Sequence, residues 1–130
     1  MCKIIMQHYK IEYNNMINEI RNSLGRMSFT SDVWSRQTMS SHMAVTTHWM
    51  AYSKDGHLIQ QSSLIAFCHL MGSHCGANLA KEFISVIEKV ECLHKIGIIT
   101  LDNASNNNTC MDVIGGALAE LNIPFNVLGN

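Results

Sequence analysis

Apolar residues Ile5, Tyr9, Tyr13, Met16, Ile17, Ile20 and Leu24 recur at the spacing that aligns side chains along one face of a helix, and Gly25 follows where such a helix would stop. Residues 1–25 are therefore predicted as an amphipathic lead-in helix, and 26–130 as the domain that follows it. From Met27 to Trp34 the period falls to two, with Met27, Phe29 and Val33 on one face and Ser28, Thr30 and Asp32 on the other. The alternation returns in Met43, Val45, Thr47, Trp49 and Ala51. Lys54-Asp55-Gly56 then supplies a turn, and Leu58 to Leu70 is apolar enough for a third strand. Consecutive strands with no helix between them imply an antiparallel meander.

Beyond Gly76 the residues Leu79, Phe83, Val86, Ile87 and Val90 mark another helix face. Ile98-Ile99-Thr100-Leu101 is apolar on both sides and is expected to be a central, buried strand, ended by Asp102. A turn rich in asparagine follows (Asn103, Asn106, Asn107, Asn108), then a helical stripe of Met111, Ile114, Leu118 and Leu121, and after Pro124 a strand from Phe125 to Leu128. The order, a helix and then βββ-α-β-α-β, describes an α/β fold: a mixed sheet with a parallel portion and helices on its faces.

Composition narrows the function classes. A chain of 130 residues that is 47% hydrophobic can fill one core. Its net charge of −1 comes from nine basic and ten acidic residues scattered along the sequence, so this segment carries no strong electrostatic footprint for DNA or a membrane. The five cysteines (Cys2, Cys68, Cys75, Cys92, Cys110) form no CxxC pair and follow no secretory signal, so reduced thiols are expected. No apolar run reaches the ~18 residues of a membrane helix, so no membrane partner is expected.

Asp32 lies mid-strand, and Asp102 lies at the carboxyl end of a strand, where α/β sheets gather their ligands. On neighbouring strands the two carboxylates would converge. At about 4 Å they would repel by roughly 4 kcal/mol at an effective dielectric near 20, and so call for a cation or a shared proton. Arg36 is the only basic residue near either in sequence, which makes Mg²⁺ or Mn²⁺, both drawn to carboxylate oxygens, the economical partner. A pair of such ions would activate the attacking oxygen and stabilise the leaving one. Taken alone, however, either aspartate is more simply a strand-end or N-cap residue.

Other chemistry-bearing residues have plainer readings. Cys68, His69, His74 and Cys75 are zinc-ligand types, but neighbours in a strand point to opposite faces, and His74 is better placed to buttress the start of the next helix. Trp34 and Trp49 are assigned to core packing ahead of base stacking. Glu82, Glu88, Glu91 and Asp112 are expected on solvated helix faces and Asp55 in a turn, while Asn103 is the one asparagine of that turn with a site role in view.

Four stretches carry a family resemblance. Ser28-Phe29-Thr30-Ser31-Asp32-Val33-Trp34-Ser35 resembles the first catalytic segment of hAT-type DNA transposases, and Thr100-Leu101-Asp102-Asn103-Ala104-Ser105-Asn106-Asn107 is similar to the second. Between them, Val45-Thr46-Thr47-His48-Trp49 resembles the family's second strand, and His74-Cys75-Gly76-Ala77-Asn78-Leu79 the start of the helix after the meander. The motifs keep their order from Phe29 to Leu128.

The resemblance implies an RNase H-like core that cuts and joins DNA with a DDE triad and Mg²⁺ or Mn²⁺. Asp32 would be the first and Asp102 the second catalytic, metal-binding acid, and the nucleus the site of action. It places the third acid, a glutamate, after a helical insertion beyond Asn130, a BED-type zinc finger upstream, and the region that makes a homo-oligomer downstream. None of Glu12, Glu19, Glu82, Glu88, Glu91 and Glu120 stands where that glutamate belongs.

The expectation is thus a fragment of a transposase catalytic core, inactive alone. The alternative is an inactive or repurposed remnant acting as a nucleic-acid or protein interaction module, with apolar surface exposed and a bare sheet edge that lowers solubility. A compact nuclease completed by another carboxylate is a further reading, and it needs a third acid close to Asp32 and Asp102.

Overall fold

The computed structural model describes residues 2–35, 41–72, 75–102 and 107–127. Helix α1 (Cys2–Arg21) leads into a meander of β1 (Leu24–Ser35), β2 (Ser41–Tyr52) and β3 (Leu58–Leu70). Helix α2 (Gly76–Lys89) and a single 3-10 turn at Leu93–Lys95 carry the chain to β4 (Ile96–Leu101), and α3 (Asn107–Glu120) follows. The sheet order is β3-β2-β1-β4, antiparallel across the meander and parallel between β1 and β4. This is the mixed α/β sheet with flanking helices that the periodicity predicts, and the arrangement of an RNase H-like domain.

The two faces of the sheet differ. Met27, Phe29 and Ser31 of β1 and Met43, Val45, Thr47 and Trp49 of β2 are buried beneath the helices. Ile17 and Ile20 of α1, Phe83 and Ile87 of α2, and Ile114 and Leu118 of α3 complete one core, with Phe29 and Phe83 meeting edge to face at 6.1 Å. The Ser63 hydroxyl lies 3.0 Å from Met16 Sδ and sets α1 over β3 on the same side. Nothing among the described residues covers the opposite face, where Tyr52, Leu58, Leu64, Phe67 and Ile98 are exposed.

One irregularity decides which residues of β3 reach that open face. Near the hairpin turn Tyr52 pairs with Leu58 and Thr46 with Leu64, but beyond a bulge Val45 pairs with Ala66 and His42 with His69. The extra residue, Ile65, is buried, and the parity of every later position in β3 is reversed.

Several expectations are corrected. Helix α1 ends at Arg21, and Leu24 and Gly25 open β1 instead. Gly25 takes φ +67° within the irregular register between Leu24 and Ser28, so its conformational freedom serves a strand and not a helix cap. β4 is buried on one face only: Ile98 and Thr100 lie on the open side. Phe125–Val127 joins no ladder; Arg26 Nη1 reaches the Pro124 carbonyl at 3.0 Å, and a Cβ on Gly115 would stand 2.5 Å from Val127 Cγ2. Segment and helix are therefore in close contact, and residue 128 lies outside the described residues. In α3, Cys110 is buried ahead of Ile114 and Leu118, while Leu121 falls past the end of the helix and is exposed.

Candidate functional site

The parallel ladder runs Thr30↔Thr100 and ends at Ser31↔Leu101, so Asp32 and Asp102 each follow directly on its last paired residues. Neighbouring strands lie about 4.8 Å apart. Both carboxylates are exposed. Asp102 Oδ1 accepts a hydrogen bond of 3.0 Å from Asn107 Nδ2, the first residue of α3, whose amino-terminal dipole also favours an anion there. Beneath this row runs a narrow slot lined by Val33, Met43, Leu79, Leu101 and Cys110, with Asp102 and Asn107 also on its wall.

The backbone positions of the two predicted aspartates are thus adjacent, while the Asp102 side chain is held by Asn107. Among the described residues no group of three or more His, Cys, Asp or Glu side chains is placed to hold one ion. The compact-nuclease reading requires a third acid beside the pair, and none is grouped there among the described residues. Glu82, Glu88, Glu91 and Asp112 face solvent, and Asp55 sits in the β2–β3 turn. Cys68 and His69 do diverge as strand neighbours must: the Cys68 thiol turns inward, 3.6 Å from the Met43 carbonyl, and His69 stands on the open face. Arg36, His74 and Asn103 lie outside the described residues.

Burial pushes the thiols of Cys92 and Cys110 up to about 12 and about 11, and raises that of Cys68. These three are poor nucleophiles at neutral pH.

A ring cluster beside the carboxylates was not foreseen. Trp49 is 3% exposed and belongs to the core, as expected, but Trp34 is 40% exposed and does not. Trp34 shares the face of Asp32, two residues on. It pairs across the ladder with His42, which pairs in turn with His69. Ring centroids are 6.2 Å apart for Trp34 and His42, 5.4 Å for Trp34 and Phe67, 5.5 Å for His42 and Phe67, and 5.3 Å for His42 and His69. The parity of Trp34 with Asp32 was the signal available in the sequence; the histidine pairing was hidden by the bulge.

Comparison with known proteins agrees with this architecture. Residues 30–124 match the ZBED1 RNase-like domain. Two Zea mays proteins, named as the AC and AC9 transposases, are each 31% identical over 113 residues, which is 86% of this chain and 14% and 13% of theirs. A Talaromyces stipitatus protein named as the transcriptional regulator tpeD is 31% identical over 99 residues, 76% of this chain and 11% of its own length. The chain therefore spans about one-seventh of the length of the maize relatives. No solved structure matches it significantly.

Proposed function

Because the chain belongs to the ZBED1 RNase-like domain family, an RNase H-like domain related to the hAT and AC transposases, we propose that it works as a transposase-derived DNA-interaction module and not as a self-sufficient nuclease. The observation that carries this reading is the aspartate pair: Asp32 and Asp102 each follow the last residues paired between β1 and β4, with no third ligand grouped with them among the described residues. Two exposed carboxylates are hard oxygen donors and suit Mg²⁺ or Mn²⁺, though with fewer protein ligands than a tightly held ion requires. Asp32 and Asp102 would hold the ion, Asn107 would keep the Asp102 carboxylate oriented, and the ion when bound would supply positive charge for a phosphate oxygen. A tpeD-like regulator among the relatives supports a role outside strand transfer, and kinship with DNA transposases supports the nucleus as the place of action.

Charge makes this reading specific. Salt-dependent affinity for DNA comes mainly from Lys and Arg contacts to phosphate, and the nine basic residues here form no run. DNA binding should therefore depend on the divalent ion. Fluorescence anisotropy with a labelled duplex and a labelled single strand, with Mn²⁺ and with EDTA, tests this. The expected result is weak binding that EDTA and Asp32→Asn each reduce at least tenfold, with no cleavage; binding indifferent to both would overturn it.

A second reading is supported by the motif resemblance, in which Asp32 and Asp102 would be the first two acids of a strand-transfer core, and their adjacent backbone positions are compatible with it. On that reading a parent protein supplies the glutamate and the oligomer, and cuts DNA. Cleavage by the longer in-frame product, lost in both Asp→Asn variants, would establish it.

A further inference from the structure

We propose that His42 and His69 form a transition-metal site on the open face of the sheet, separate from the aspartate row. The two histidines are a direct cross-strand pair in β2 and β3. Their ring centroids are 5.3 Å apart with the planes at 63°. Two imidazoles bound to one tetrahedral ion through metal–nitrogen bonds of about 2.0–2.1 Å place their centroids roughly 5 Å apart. The pair already stands at that separation.

The surroundings fix the first ligand and leave the second adaptable. β2 lies between β1 and β3, so the His42 ring has Trp34 on its β1 side and Phe67 on its β3 side, at interplanar angles of 22° and 28°. His42 Nδ1 is shielded from solvent and has no hydrogen-bond partner among the described residues. A buried ring nitrogen without a partner is costly, and donating its lone pair to a metal relieves that cost. His69 is exposed and can turn to meet the same ion.

Imidazole nitrogen selects Zn²⁺, Ni²⁺ or Cu²⁺ over Mg²⁺, which prefers oxygen, so the site takes a different class of ion from the one proposed for Asp32 and Asp102. With two protein ligands, one of them the exposed His69, the ion would take water or an external donor only where the His69 side opens, and it would be exchangeable from that side. The proposal does not rest on the DNA reading.

The test is a Ni²⁺ titration of the 130-residue chain followed by tryptophan fluorescence, because Trp34 lies against His42. Saturable quenching is expected at micromolar Ni²⁺, unchanged by excess Mg²⁺. His69→Ala should weaken it at least tenfold, and His48→Ala, on the same face, should leave it intact. His42→Ala should act like His69→Ala, with circular dichroism verifying the fold; His69, packed less closely, carries the argument if His42→Ala unfolds. No quenching up to millimolar Ni²⁺, identical titrations for wild type and His69→Ala, or displacement by Mg²⁺ would each overturn the proposal.

Discussion

The ammonium group of Lys95 stands 2.7 Å from the carbonyl oxygen of Arg21, the last residue of α1. The same Nζ donates to the carbonyls of Ile20 and Ser23, at 3.2 and 3.0 Å, and lies 3.1 Å from the Ser23 hydroxyl. Carbonyls at a helix end lack intrahelical partners and carry the negative end of the dipole, so a cation held among them fastens α1 to the turn before β4. Arg21 adds a surface ion pair with Glu91, which counts for little because both groups are exposed. Lys95→Met keeps the stem and removes the charge. It should cost about 1–3 kcal/mol, the range for losing hydrogen bonds from a charged donor, and lower Tm by several degrees in a calorimetric scan. Glu91→Gln should leave Tm nearly unchanged.

The core makes a larger prediction. Phe83 is buried against Phe29 and joins α2 to β1, the strand that carries Asp32. Phe83→Ala should destabilise by about 3–5 kcal/mol, a large share of the roughly 5–15 kcal/mol typical of a domain. Urea unfolding should show a much lower midpoint, and Phe83→Leu an intermediate one.

The buried thiols set a pH dependence at the alkaline side. Cys92 and Cys110 have folded-state values of about 12 and about 11 against an unfolded value of 9.0, both from desolvation. The folded state thus keeps protons that the unfolded chain gives up, and stability present below pH 9 should fall as pH rises through 11 and 12. Replacing both cysteines with alanine should flatten that decline in chemical unfolding measured at pH 8 and pH 10.5. At pH 8 a disulfide reagent should label exposed Cys2 and Cys75 quickly, and Cys92 and Cys110 only on unfolding.

Much of this architecture is legible in the sequence because period is a local property. Met27 to Val33, Met43 to Ala51 and Leu79 to Val90 each bury the residues their spacing selects, Val33 and Ala51 only in part. Asp32 and Asp102 were singled out by combining strand position with the motif resemblance, and they follow directly on the last pair of the β1–β4 ladder, Ser31↔Leu101. What escaped the sequence depends on pairing between distant segments. A register extended from the Tyr52↔Leu58 pair would set His42 opposite Cys68; the bulge at Ile65 substitutes His69 and moves it to the face of Trp34. The apolar run at Ile98–Leu101 announced burial on two sides, yet the described chain covers only one, so Ile98 is 53% exposed.

That open face leads to the last prediction. Tyr52, Leu58, Leu64, Phe67 and Ile98 stand on one surface of the sheet, together with half-exposed Trp34. Beside them β3 is an edge strand of 13 residues without a single Asp, Glu, Lys, Arg or Pro to discourage pairing with another chain. Apolar patches of this kind drive association. Leu58→Lys combined with Leu64→Lys places two charges on the open face and on that edge, outside the ring cluster. The double variant should remain monomeric at concentrations where the parent self-associates in sedimentation velocity, with Tm changed by no more than a few degrees. Leu70→Lys, at a buried position of the same strand, should instead unfold the domain. If the parent is already monomeric, or the double variant associates as strongly, the exposed face is not what limits solubility.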